Sequence, residues 1–431
     1  MAKTPTLALV LGFVALGSVI TCSPFGGGDF TCTLNTQCTG GSGGVCEASG
    51  YCSFADPSCA PSGQRYGDGP SSGACVGGMA TIDAPLATPD GSAALDASGV
   101  DGPGTDAAPT RFCLGTYVNL CVPTTPTAPV VLPAALDTDS TTTCRTDVTD
   151  ASGAPITTYC VLAGTSITGG TVATGSRPLV LLASVDMTIA TLDVASHRGG
   201  TTGAAANATA CAPPGTSGTG GGGGGGGFGG KGGDGGNGQQ AGGTGGAATP
   251  PTALRGGCPG KDGTTANTHG SGGGVVMLAA AVTITITGAI NASGASSATA
   301  GNTPGAGASG AGSGGMIVLE APTLANNGVV FANGGSGAEG SSAGGTPGNP
   351  GNDPTNATAA PGGANGTQSG GDGGTGGAKP PTNGDGGKGG DGTAPPASPK
   401  GGGGGGGGAI GVITTHGGTL GGSVSPTPLT H

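Results

Sequence analysis

Cysteine is the residue whose number and spacing carry the most chemistry in this chain. There are 13 among 431 residues. With Cys22 set aside, they fall into even groups: Cys32, Cys38, Cys46, Cys52, Cys59 and Cys75; then Cys113, Cys121, Cys144 and Cys160; then Cys211 and Cys258. Even groups in an exported chain are disulfide candidates, because an oxidising compartment forms and keeps such bonds. Zinc is the rival chemistry, but no C-x-x-C spacing occurs, so no metal site is expected. Six cysteines allow fifteen pairings, and connectivity stays open. Cys211 and Cys258 bracket a glycine-rich stretch and are placed to staple its two ends.

Acid–base and phosphate chemistry have weaker candidates. Arg177, Asp186, Asp193, His197, Arg198 and Glu320 flank apolar runs, whereas polysaccharide lyases and hydrolases need acids and bases clustered on one face of several coils. Solvated surface is the simpler account of most of them. The histidines, His197, His269, His416 and His431, lack metal-ligand spacing. Gly225 to Lys231 has the glycines and lysine of a phosphate-binding loop, but Gly232 stands where Ser or Thr should hold magnesium. Gly40-Gly41-Ser42-Gly43-Gly44 spells a nucleophile elbow without the strand and helix that motif requires. Gly229 to Asp234 and Gly386 to Asp391 match half of a calcium-binding nonapeptide, with Gly236 and Thr393 where a hydrophobic residue belongs. No catalytic residue, metal or cofactor is expected.

Lys3, the apolar run from Leu7 to Ile20 and Cys22 form a targeting signal over residues 1–21. The run is shorter than the ~20 residues a bilayer span needs. Val19-Ile20-Thr21-Cys22 resembles a bacterial lipobox, which implies that Cys22 carries lipid and that the membrane is met through this anchor alone. Thr21 replaces the usual Gly or Ala, so plain secretion with loss of the same segment is the alternative. Glycine supplies 104 of 431 residues, Trp is absent and aromatics are 3%. That leaves too few large apolar groups for one core of ordinary size, and each ordered glycine costs more backbone entropy than any other residue. With 12 Lys and Arg and a net charge of −11 there is no basic face for nucleic acid.

Residues 22–31 read as a tether and 32–75 as a cysteine-rich module, too small for a core and held by cross-links instead. Cys32-Thr-Leu-Asn-Thr-Gln-Cys38, Gly44-Val-Cys46, Tyr51-Cys52-Ser53, Asp56-Pro-Ser-Cys59 and Ser62-Gly63-Gln-Arg65-Tyr66 resemble the short module near the start of myxobacterial secreted lipoproteins. Those proteins often continue, as here, through a low-complexity linker into a glycine-rich domain of stacked strands. The resemblance implies an envelope location and no known activity. Residues 76–111, with Asp83, Asp90, Asp96, Asp101 and Asp106 among Ala, Pro, Thr and Gly, are that linker, able to reach ~100 Å at ~3.1 Å per residue. Residues 112–163 carry four cysteines and the runs Val130-Val131-Leu132 and Tyr159-Cys160-Val161-Leu162. They are expected to form a small β-rich cap over the first coil of the glycine-rich domain.

Residues 164–431 hold a repeated pattern of short apolar strands separated by glycine, clearest in Val275–Ala279, Val282–Ile286 and Gly288–Gly294 against Met316–Ala321, Thr323-Leu324 and Gly328–Gly334. Matching first strands begin at Leu179, Val275, Met316 and Ala409, which predicts about four stacked coils. The fold class is all-β: a short parallel β-solenoid with long glycine-rich insertions, an antiparallel sandwich being the alternative. In Phe228-Gly-Gly-Lys231-Gly-Gly-Asp234-Gly-Gly-Asn237, Asp372-Gly-Gly-Thr375-Gly-Gly-Ala378 and Asp385-Gly-Gly-Lys388-Gly-Gly-Asp391, every third residue bears a side chain. A polyproline-II-type helix has three residues per turn, so this spacing leaves two bare ridges for packing; a disordered glycine linker is the other reading. The function expected is that of a non-enzymatic envelope surface protein, an adhesin or matrix component. Its partners would be polysaccharide, other envelope components or copies of itself. A carbohydrate-binding or polysaccharide-degrading β-helix is the alternative.

Overall fold

The apolar runs between the glycines are rich in β-branched and aliphatic residues, which suit a pleated, buried backbone. Among the described residues they form strands, and no α-helix occurs. The computed structural model describes residues 111–431 except 265, 267, 301–302, 365, 367–368, 379–383 and 395–398; nearer the N-terminus it describes 32, 34–39, 42–47, 51–59, 62–67 and 75–76. The expected leader, Cys22, the tether and nearly all of the 76–111 linker lie outside these residues.

The chain divides into two units, residues 1–103 and 104–431. In the first, a 3-10 turn (Asn35–Gln37) precedes an antiparallel sheet of β1 (Val45–Cys46), β2 (Cys52–Ala55) and β3 (Gln64–Tyr66). Cys32–Cys46, Cys38–Cys52 and Cys59–Cys75 are bonded. The buried cluster consists of Cys32, Cys38 and Cys52 themselves, with Cys46 and Phe54 against them, so cross-links stand in for a core.

The second unit opens with an antiparallel hairpin, β4 (Phe112–Leu114) and β5 (Leu120–Val122), bridged by Cys113–Cys121. One large sheet follows: β6 (Val130–Val131), β7 (Ala135–Asp137), β8 (Cys160–Thr174), β9 (Leu179–Asp193), β10 (Val275–Ala280), β11 (Thr283–Asn291), β12 (Met316–Ala321), β13 (Thr323–Asn326), β14 (Val329–Phe331), β15 (Val412–Gly417), β16 (Ser423–Ser425) and β17 (Leu429–Thr430). Every pairing within it is parallel, which excludes the antiparallel sandwich. The sheet curls into a half-barrel. Leu181, Leu278 and Leu319 stand in one register on its inner face, and Met187, Ile284 and Leu324 in another, and all six belong to one buried cluster. Between Ile286 and Ala289, where the register of β11 against β9 shifts, the rungs stack through glycine. A Cβ on Gly328 would lie 1.8 Å from the Gly288 carbonyl, and one on Gly288 1.7 Å from that of Ala190.

Two expectations need correction. Val412, not Ala409, pairs with Met316, so the last rung starts three residues late; Ala409 and Ile410 belong to the glycine segment before it. Residues 112–163 also do more than cap an end. β6 and β7 do extend the edge of β8, but Leu120, Val122 and Val148 lie on the outer face, against Val180, Met277 and Val318. That cover is required because β10 and β12 are buried at every position, outer face included. β8 runs unbroken through residue 163 and joins this segment to the stack.

Beyond the strands the glycine-rich segments lie side by side, joined by backbone hydrogen bonds that recur every three residues. The stretch from Gly402 to Ile410 shows the rule. Gly402, Gly405 and Gly408 donate to Ser341, Ala338 and Gly335; Gly403, Gly406 and Ala409 to Gly220, Gly223 and Gly226; Gly404, Gly407 and Ile410 to Gly390, Gly387 and Gly384, all at 2.9 Å. The same stretch accepts from three further segments: Gly371, Gly374 and Gly377; Ala308, Ala311 and Gly314; Gly236, Gly233 and Gly229. Six neighbours therefore surround it, which leaves no direction for a side chain from Gly402 to Gly408; at the end of the stretch the Ile410 side chain packs against Gly384. A Cβ on Gly405 would sit 1.8 Å from the Ser309 carbonyl oxygen.

Candidate functional site

Apart from Asp186, which is exposed on the outer side of β9, the candidate acid–base residues lie in separate clusters whose carboxylates accept from backbone amides. Asp193, at the end of β9, accepts from the Ala195 N–H at 2.9 Å and faces His197 Nε2 at 3.1 Å. The other nitrogen of His197 lies 3.9 Å from Asp353, which itself accepts from the Arg198 and Ser296 N–H groups at 2.9 and 2.7 Å. The hydrogen bond from Asp193 raises the His197 pKa, against opposing desolvation, and the two nearby carboxylates add to the rise. His197 and its neighbours thus pin the loop around Asp353 to the stack. Arg177 donates from Nε to the Thr138 carbonyl at 2.6 Å and ties β9 to the cap. His269 Nδ1 meets Asp262 at 2.8 Å in a third, separate place.

Glu320 is buried on the outer face of β12 beside His416 of β15. Its carboxylate accepts from the Thr116 and Tyr117 N–H groups at 2.5 and 2.6 Å, and His431 Nε2 lies 3.2 Å away. His416 Nδ1 donates to the His431 carbonyl at 2.6 Å, and the Tyr117 ring meets His431 edge-on at 5.4 Å between centroids. Sequence spacing did not bring His416, His431 and Glu320 together; the parallel register did. A cavity of about 390 Å³ lies beside them, lined mostly by apolar and small residues such as Leu114, Ala280 and Pro322. Because both carboxylate oxygens hold backbone donors, the arrangement works as a clasp joining β12, the β4–β5 turn and His431.

The acids of the glycine triplets do the same on the bundle surface. Asp385 and Asp391 accept from the Lys231 and Asn237 N–H groups, both at 2.8 Å, and Asp234 accepts from that of Gly245 at 2.8 Å. They serve amides that have no neighbouring carbonyl because they sit at the edge. The amides of the phosphate-loop look-alike are likewise taken: Gly225, Gly226 and Gly229 donate to Gly233, Ala311 and Ile410. Part of the elbow look-alike, Gly40 and Gly41, lies outside the described residues.

One broad polar surface remains open. On the outer side of the second half of each rung, Ser166, Asp186, Thr283 and Thr323 stand in register, and beside them Thr168, Thr188, Thr285 and Ala325. All are exposed or half-buried. Parallel strands lie ~4.8 Å apart and alternate residues ~6.6 Å apart, so the hydroxyls of Ser166, Thr168, Thr188, Thr283, Thr285 and Thr323, with Asp186 among them, form a grid of that mesh.

The remaining cysteines pair as Cys144–Cys160 and Cys211–Cys258, making six disulfides among the described residues, which indicates an oxidising, extracytoplasmic location. The sulfurs of Cys32, Cys38 and Cys52 lie within 4.8 Å of one another, but all three are in disulfides and offer no thiolate to a metal. Compared with protein-family models, with curated proteins and with solved structures, the chain matches none.

Proposed function

We propose that this chain is a non-enzymatic cell-envelope surface protein, an adhesin or matrix component, anchored by lipid on Cys22 in the manner of the myxobacterial-type lipoproteins it resembles. Its folded part is a short parallel β-solenoid whose coils are completed by a bundle of polyglycine-II-type helices. The observation that carries the reading is the Gly402–Gly408 run, held on all sides by backbone alone. A body built this way is stiff, and its outer side chains can vary without disturbing the packing, which suits presentation of a surface. The engagement of Asp193, Asp353 and Glu320 by backbone amides supports a role without catalysis for these three, since a general acid or base needs a free proton position.

The hydroxyl grid favours neutral polysaccharide as partner, because hydroxyls both donate and accept and the face is nearly uncharged. Self-association and contact with other cells are the other partners of such a surface. Asp186, exposed within the grid, is what favours the second reading, a carbohydrate-binding or polysaccharide-degrading β-helix. Pull-down of the exported chain with purified envelope and matrix polysaccharides tests the proposal. Retention that Thr188→Lys with Thr285→Lys abolishes supports it; absence of both retention and self-association contradicts it. Polysaccharide cleavage that Asp186→Ala removes would put the second reading in its place.

A further inference from the structure

We propose that the Cys211–Cys258 bridge is a site of thiol–disulfide exchange, at which a small external thiol is captured on Cys211. This does not depend on the envelope function. Among the described residues it is the bridge with a cation against its sulfurs: Arg255 Nη2 lies 3.1 Å from Cys258 Sγ and 3.6 Å from Cys211 Sγ. The guanidinium is fixed there, 4.7 Å above the Phe228 ring, with Nη1 donating to the Ala210 carbonyl at 3.2 Å. Its partners are carbonyls, the ring and the sulfurs, with no carboxylate among them. Burial lowers the Arg255 pKa, as it does for a cation without a counter-ion.

The two sulfurs are unequal in access. Cys258 is fully buried. Cys211 is half-exposed and lines a cleft of about 270 Å³ with Asn207, Pro213, Pro259, Lys261 and His269. An incoming thiolate, its proton already lost to water, therefore attacks Cys211 Sγ. The new S–S bond forms as the Cys211–Cys258 bond breaks, and the electron pair leaves on Cys258 Sγ beside Arg255. No net electrons are consumed in this step. Exchange is faster when the leaving thiol has a low pKa, and an adjacent guanidinium lowers it. Lys261 and Asp262 both line the cleft, so its charge singles out no one thiol.

The test uses the oxidised full chain and reduced glutathione at neutral pH, with acid quenching, alkylation and mapping of adducts by mass spectrometry. The expected result is a glutathione adduct on Cys211 and an alkylated Cys258, appearing about tenfold or more ahead of opening at Cys113–Cys121 or Cys144–Cys160. Arg255→Met should remove that lead and Arg255→Lys should keep most of it. Simultaneous opening of all bridges, an adduct on Cys258 in place of Cys211, or an unchanged rate in Arg255→Met would overturn the proposal. If Arg255→Met does not fold, the order of opening and the adduct position in the unaltered chain decide alone.

Discussion

A single methyl group distinguishes a packed glycine from a flexible one. Gly405→Ala places its Cβ 1.8 Å from a carbonyl oxygen, and overpacking of this kind costs about 1–3 kcal/mol. Gly232→Val with Gly235→Val should cost more, since each Cβ would meet a backbone oxygen at 2.0 Å. Lys231→Ser should be nearly neutral. Asp234→Ser, by contrast, takes the acceptor from the Gly245 N–H and should cost about 1 kcal/mol. Urea unfolding of the four variants checks this order; tolerance of valine at both positions would refute it. His197 gives a pH dependence of defined sign. Its folded pKa is raised, so its contribution is fully present below the ordinary histidine value near 6.5 and is lost as pH rises through the raised one. The melting temperature should fall over that range in the unaltered chain and stay flatter in His197→Gln. The triplets were legible because a side chain at every third position is a local signal. The all-glycine run was not, because its six neighbours come from distant parts of the chain, and its meaning, that no ridge faces water, depends on all of them.

At the scale of elements, the clasp at Glu320 makes the most specific claim. Glu320→Ala strips the acceptor from the Thr116 and Tyr117 N–H groups, and a hydrogen bond to a charged group is worth about 1.5–3 kcal/mol. The loss should appear as lower overall stability and as faster amide exchange in residues 114–117, while Asp186→Ala on the open face should change neither. Equal effects of the two substitutions would mean that Glu320 is ordinary surface. The strands themselves were readable from their apolar runs, and Leu179, Val275 and Met316 align to within one residue. Ala409-Ile410 looked like the same signal, yet Ile410 is buried beside Gly384 within the glycine segment. A short apolar run marks burial and does not say whether a strand or a packed glycine segment provides it. The cover over β10 and β12 was likewise hidden, since the residues that meet across it are far apart in sequence.

For the molecule as a whole, anchoring and rigidity are separable. Cys22→Ser should move the exported protein from the membrane fraction to the soluble one without changing its melting temperature; unchanged partitioning would remove lipid from the account. Rigidity rests on the glycine segments, whose backbone N–H groups bond to other segments of the same chain in steps of three. Amide hydrogen exchange over residues 402–408 of the unaltered protein tests this most directly. If these amides are held by the neighbouring segments, they exchange only through global unfolding and as slowly as those of β9 and β10. Exchange of the same glycines at the rate of an unfolded chain, while the strands stay protected, would contradict it.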